Sequence, residues 1–397
     1  HLRLLAFICG KIIFLFLIVD NFSMALSAED NLRLNVLLAQ ELHAVRIDES
    51  KMTVFALTAK GEAKVPLNVV GKDEAYIKEV KALFSTHVMG SPGGYPVYLK
   101  RWTRMGQARD KSLAQLLLLG EPEAVVAAVH AAGLTEELAA RAWWAMPTSE
   151  NARRMLEKQA VAEGETGKVL AEFLIEFLPF EEEQSDMIES VRLVLQPGLI
   201  SQQEKQRLWS KSKTKRSFYV GFLHAAADDL PIEVAAHAEH EEIRRQLEPL
   251  MAQGNPYALM LEKILSAKGQ AFIKTTEEAL KKPNNQDVVV SLLEAVAKYF
   301  ASIAPRQFSD DDIDTICSQA EAFCCGDNTQ IKDVISALNG SIDKVQNYLY
   351  AMTVLACLSV KLVNPIFART DAIGTVMRKK IRPVTDPVFE QLQILRN

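Results

Sequence analysis

The chain has 397 residues, 49% of them apolar, with 45 Lys and Arg against 50 Asp and Glu. A formal charge of −5 excludes the general cationic surface of a nonspecific nucleic-acid binder, although it leaves room for a local basic patch. Five cysteines with no CxxC pair are too sparse for a small disulfide scaffold and point to reduced thiols.

The stretch Leu4–Val19 is strongly apolar but is interrupted by Cys9-Gly10-Lys11. What remains, Ile12–Val19, is far short of the about 20 residues a bilayer span requires. The segment 22–28 defines no convincing small-residue cleavage site, and Met24 stands just ahead of a polar helix start, Ser27-Ala28-Glu29-Asp30. Residues 1–23 therefore read as an extension upstream of a start at Met24, with a signal or anchor segment as the alternative.

Residues 24–108 are expected to form a small α+β unit. Ala44–Asp48, Met52–Leu57 and Ala63–Leu67 are short, partly alternating runs separated by turn-forming residues, the pattern of an antiparallel meander. Ile77, Val80 and Phe84 then supply the inner face of a helix. In the segment that follows, Pro92, Gly93, Gly94 and Pro96 frame Tyr95, Tyr98, Lys100, Arg101, Trp102 and Arg104. Aromatic rings beside guanidinium groups suit a phosphate, a peptide carboxylate or a nucleic acid, so these six residues are the first candidate partner surface. Local packing is the plainer use for them.

Helical periodicity predominates from residue 110. Segments 121–132, 135–146, 149–163 and 167–177 are separated by Gly and Pro breaks, which predicts antiparallel helices in a bundle or a repeat-like array. Ser201 and Glu204 have capping-box spacing. Lys205, Arg207, Lys211, Lys213, Lys215 and Arg216 then form a second basic candidate patch around Trp209. A helical domain over 109–230, a C-terminal helical unit over 231–363 and a terminal arm over 364–397 complete the expected organisation. The last of these is rich in Pro365, Pro383 and Pro387 and in basic residues. Within 331–363, apolar residues follow a coiled-coil-like spacing that Asn339-Gly340 weakens.

Candidate chemistry is sparse. His237 and His240 could share a helix face, but no HExxH motif accompanies them, and surface histidines on an alanine-rich helix are the simpler reading. Cys317 and Cys324 are spaced two helical turns apart, with Cys325 adjacent, and form a possible redox cluster; apolar packing is the competing use. No Walker motif, dinucleotide fingerprint or G-x-S-x-G elbow occurs, and the sequence predicts neither a cofactor nor a metal site. The chain reads as a scaffold or regulatory partner in preference to an enzyme.

Several segments resemble the DsrS family of sulfur reduction proteins: residues 29–38, SPGGYPVYLKRWTRMGQ at 91–107, LLLLGEPEAVVAAVH at 116–130, RAWWAMP at 141–147, NARRMLE at 151–157 and DMIESVRLVLQPGLI at 186–200. The resemblance extends over about residues 24–230. It implies a soluble, cytoplasmic accessory or regulatory protein of sulfur oxidation, encoded with the dissimilatory sulfite reductase system. It supplies no catalytic residues. Its expected partners are a protein of that system or RNA and the transcript-control machinery, with no integral membrane partner required and the oligomeric state left open. In that context the alternative is a cysteine-dependent sulfur-transfer or redox protein using Cys317, Cys324 or Cys325.

Overall fold

A computed structural model describes residues 26–97, 110–306, 308, 312–338 and 342–396. The fold is α+β: a three-stranded antiparallel sheet precedes an extensive helical region. By internal contacts the chain divides into two compact units after Leu170.

In the first unit, α1 Ala28–Leu38 begins where the Ser27 hydroxyl accepts the Asp30 amide N–H at 3.1 Å. Strands β1 Leu42–Asp48, β2 Thr53–Thr58 and β3 Gly61–Pro66 pair in the order β1-β2-β3. At the first turn the Asp48 carboxylate accepts from Ser50 and Lys51, and these bonds hold its pKa down to about 2. The register sets Val45 opposite Ala56, and Val54 opposite Ile47 and Val65. Val45, Val54 and Ala56 consequently pack with Leu34, Leu37 and Leu38 of α1 and with Ile77, Val80 and Phe84 of α2, Asp73–Met89.

The other face of the sheet is built differently. The Arg46 guanidinium lies over the rings of Phe55 and Trp144, 4.7 and 5.1 Å from their centroids. Lys64 approaches Phe55 from β3, and the Trp144 indole N–H donates to Glu62 at 2.9 Å. The free side of β1 is tied down where the Val45 amide donates to the Leu117 carbonyl at 2.8 Å.

A buried carboxylate joins these parts. Asp30 is fully buried. Its Oδ2 accepts from the Tyr76 hydroxyl and from the Asn68 amide, both at 2.6 Å, and Tyr76 in turn accepts the Ser27 amide at 3.0 Å. Asp30 Oδ1 has no partner among the described residues. Short helices follow: α3 Asp110–Leu116, α4 Pro122–His130, α5 Glu136–Ala145, α6 Ser149–Leu156 and α7 Gln159–Ala162. The helix expected over 149–163 is thus two helices, with a break at Glu157 and Lys158. α5 packs on β1, and α8 Glu165–Phe177 carries the chain past Leu170.

The second unit is helical throughout its described residues: α9 Gln184–Val194, α10 Gln202–Lys211, α11 Arg216–Ala225, α12 His240–Ala252, α13 Pro256–Leu265, α14 Ala267–Lys281, α15 Gln286–Tyr299, α16 Ile313–Cys325, α17 Thr329–Ala337, α18 Ile342–Ala356, α19 Asn364–Phe367 and α20 Gly374–Ile394. Stacking of Phe272 on Tyr299 at 3.8 Å joins α14 to α15, and Trp209 meets Tyr219 and Phe222 edge-on between α10 and α11. The Ser201–Glu204 capping box forms as its spacing predicts. The apolar spacing seen over 331–363 is divided between α17 and α18, where Val345, Leu349 and Met352 are buried inside the unit.

Two expectations need correction. Residues 233–236 are not helical, and His237 and His240 are buried instead of lying on an exposed helix. The alanine-rich run lacks a helix-long apolar face, and contacts from α13 and α18 bury the imidazoles. Residues 374–394 form a single helix despite Pro383 and Pro387. Met377, Ile381, Val384, Val388 and Leu392 recur at helical spacing and are buried, offsetting the two lost backbone hydrogen bonds.

Tyr76→Phe should cost about 1–3 kcal/mol, because it leaves a buried carboxylate oxygen with fewer donors; urea unfolding measures this. Burial pushes the Tyr257 hydroxyl up to about 12. The folded state holds this proton more tightly than the unfolded state, so its contribution is intact below the ordinary value of 10.0 and is lost as pH rises through about 12. Urea midpoints followed from neutrality into that range should fall, and Tyr257→Phe should flatten the decline.

Candidate functional site

The first candidate surface lies where α2 ends. Gly90 stops the helix in the left-handed conformation, φ 72°, and the chain turns back across the helix's last turns. Ser85, fully buried, organises that return. Its hydroxyl donates to the Ser91 carbonyl at 2.7 Å and accepts the amides of Gly93 and Gly94 at 3.2 and 2.8 Å. The Tyr95 amide then donates to Glu121 Oε2 at 2.9 Å, tying the loop to the start of α4. Gly94 has φ +59°, a left-handed backbone that favours glycine, and a Cβ there would stand 2.0 Å from Glu121 Oε1, so the Glu121 carboxylate would have to move.

This arrangement encloses a cleft of about 520 Å³. Lys78, Lys81 and Ala82 of α2 form one wall, Pro92 to Pro96 another, and Glu121 and Glu123 the third. Lys81 is neutralised by Glu49 at 2.8 Å, whereas exposed Lys78 has no ion pair among the described residues. Burial raises the Tyr95 pKa, so its hydroxyl remains a neutral hydrogen-bonding group at ordinary pH. Tyr98, Lys100, Arg101, Trp102 and Arg104 lie outside the described residues. Lys78, Ser85 and Glu121 carry no motif, and only their placement in the fold reveals them.

The second basic segment is dispersed by the fold. Lys205 is buried and ion-paired with Asp229. Arg216 lies 4.0 Å from Glu278 and over the Tyr219 ring, and Lys215 lies near the Phe218 ring. Arg207, Lys211 and Lys213 remain exposed, the first two beside Glu172, Glu176 and Glu204 in a cavity of about 410 Å³. Acidic neighbours make this a poor site for a polyanion.

Cys317, Cys324 and Cys325 occupy one unbroken helix, α16, which is capped where Asp312 accepts the Thr315 amide at 3.0 Å. Cys317 is half-buried, Cys324 buried and Cys325 exposed, and all three are free thiols. Burial pushes the Cys324 thiol up to about 11 and also raises Cys317. Thiols held this way are weak nucleophiles at neutral pH. His240 Nε2 lies 3.2 Å from Glu262, and His237 packs edge-on against Tyr348, which donates to Glu239 at 2.9 Å. Among the described residues, no group of three or more His, Cys, Asp or Glu is placed to hold a metal ion.

No family model, curated protein or solved structure matches the chain. Among the described residues no single helix is long and apolar enough to cross a membrane.

Gly94→Ala should destabilise the first unit by about 1–2 kcal/mol from the left-handed backbone alone, with the Glu121 clash adding to it. Glu121→Ala in the same chain relieves the clash but keeps the backbone strain and loses the acceptor of the Tyr95 amide, so urea midpoints should stay below the parent value. Thiol labelling read by mass spectrometry should modify Cys325 in the folded protein and Cys324 only after unfolding.

Proposed function

We propose that this protein is a non-catalytic accessory or regulatory protein that binds a protein partner through the cleft at the end of α2. The observation that carries this reading is the cleft of about 520 Å³ whose proline–glycine wall is pinned by Ser85 and Glu121. A pinned wall reduces the ordering cost of association. Its lining combines proline, alanine and tyrosine surface with two carboxylates and a lysine, Lys78, that has no ion pair among the described residues. This mixture suits a peptide segment of a folded or extended protein. Glu121 and Glu123 would repel RNA, which makes the transcript-binding reading the weaker one.

The DsrS resemblance extends the proposal to a cytoplasmic role in sulfur oxidation, with a protein of that system as partner. A sulfur-transfer role through Cys317 or Cys324 is disfavoured because burial raises both thiols. Trp102, Arg101 and Arg104 follow the described wall in sequence and remain candidates to extend the same surface.

The test is co-purification of the native protein, identification of the partner, and titration of that partner against variants. Lys78→Glu and Tyr95→Ala should each weaken binding by about tenfold if they sit at an interface hot spot. Their unfolding midpoints should stay close to that of the parent chain. Trp102→Ala, or lysine at both Arg101 and Arg104, should act in the same direction if the surface extends beyond Val97. Unchanged affinity in Lys78→Glu and Tyr95→Ala, with both proteins folded, would remove the cleft as the principal interface.

A further inference from the structure

Of the basic residues expected on a terminal arm, Arg378, Lys379, Lys380 and Arg382 lie on the first half of α20. There Arg378, Lys379 and Arg382 join Lys281, from the end of α14, around a cavity of about 280 Å³. Asp386 is the one carboxylate in its lining. Lys281 is neutralised by Glu278 at 2.7 Å. Arg378 donates to the Pro283 carbonyl at 3.3 Å and to the Thr375 hydroxyl at 2.7 Å. Both acceptors are uncharged, so they hold the guanidinium in place without cancelling its charge. Lys379 and Arg382 make no hydrogen bond or ion pair among the described residues, and Asp386 pairs with none of the cations. Three cations against one carboxylate leave two positive charges uncompensated in a concave site.

This arrangement opposes helix stability. Like charges about one turn apart repel. α20 also has no acidic residue in its first turn to counter them. Neutralising the surplus takes a doubly charged anion; a single carboxylate would leave half of it. Arg382 offers a free planar fork and Lys379 a mobile point charge, the two donor types that grip tetrahedral oxyanions. The volume falls just below the roughly 300–1,000 Å³ of pockets that hold drug-sized ligands, so the occupant is small.

We propose that this cavity binds a phosphate-type dianion, either free or as the phosphate of a small ester. The site belongs to the second unit and does not depend on the partner cleft. Isothermal titration of the full chain with inorganic phosphate and, separately, with glycerol phosphate tests it, using sodium chloride at matched ionic strength as the control. Saturable binding is expected with at least one of them. Tighter binding of the ester identifies an ester ligand, and equal or tighter binding of inorganic phosphate identifies the free ion. The double change Lys379→Gln with Arg382→Gln should weaken binding by about tenfold or more, since it removes charge-assisted contacts. Its ligand-free unfolding midpoint should hold or rise, because neither side chain supports the fold and their mutual repulsion is gone. Asp386→Asn should tighten binding, a readout that does not depend on the behaviour of the double variant. No heat beyond the chloride control, or identical affinity in parent, double variant and Asp386→Asn, would overturn the proposal.

Discussion

The first unit depends on one buried carboxylate. Asp30 gathers the Tyr76 hydroxyl from α2 and the Asn68 amide from the chain leaving β3, while its own helix is capped by Ser27. A buried polar group is tolerated only when partners satisfy it, and here the donors come from separate pieces of chain. The network thereby sets where α2 lies over the sheet. Lys78, Lys81 and Ser85 are on that helix, so the cleft inherits its geometry from a hydrogen-bond cluster that does not line it. The second Asp30 oxygen accepts no hydrogen bond from the described residues.

The second unit uses burial in a different way. Its helices meet through aromatic stacks and apolar faces, and this environment withdraws groups that might otherwise react. Cys324 lies beside the Thr353 hydroxyl at 3.7 Å, and the Tyr257 hydroxyl reaches the Ile303 carbonyl at 3.4 Å. What remains available is the exposed Cys325 thiol and fixed charge. The two candidate sites therefore differ in kind: the cleft mixes signs over an apolar wall, whereas the cavity beside α20 concentrates positive charge. The first favours recognition of a protein surface, and the second favours a compact anion.

Much of the fold was legible because it is written locally. The runs at 44–48, 52–57 and 63–67 match the three strands closely, since alternation and turn residues act over a few positions. The capping box at Ser201 is equally local. Less legible was anything decided by chain brought from far away. Lys205 reads as part of a basic stripe until Asp229 returns to pair with it, and the histidines at 237 and 240 read as surface groups until Tyr348 and Glu262 close over them. Pro383 and Pro387 argue against a helix by local rules, yet tertiary burial of one face outweighs them. Of the candidate sites, the sequence marked the Pro/Gly frame around Tyr95 but not its opposite walls. The charges of the α20 cavity were visible without the α14 end that makes them converge.

The outer edge of β3 bears on how the protein behaves when crowded. Among the described residues the sheet has three strands, and the far side of β1 is bonded to Leu117, so β3 is the edge without a strand partner there. Such a row is a template for another strand, and a flat apolar one would seed assembly between copies. Here the edge carries Glu62, Lys64 and Pro66, with Glu62 held by Trp144 and Lys64 drawn toward Phe55. Proline cannot donate to an incoming strand, and an arriving one would have to desolvate the two charged side chains. The cation–aromatic face of the sheet thus also acts as a gatekeeper against edge-to-edge aggregation.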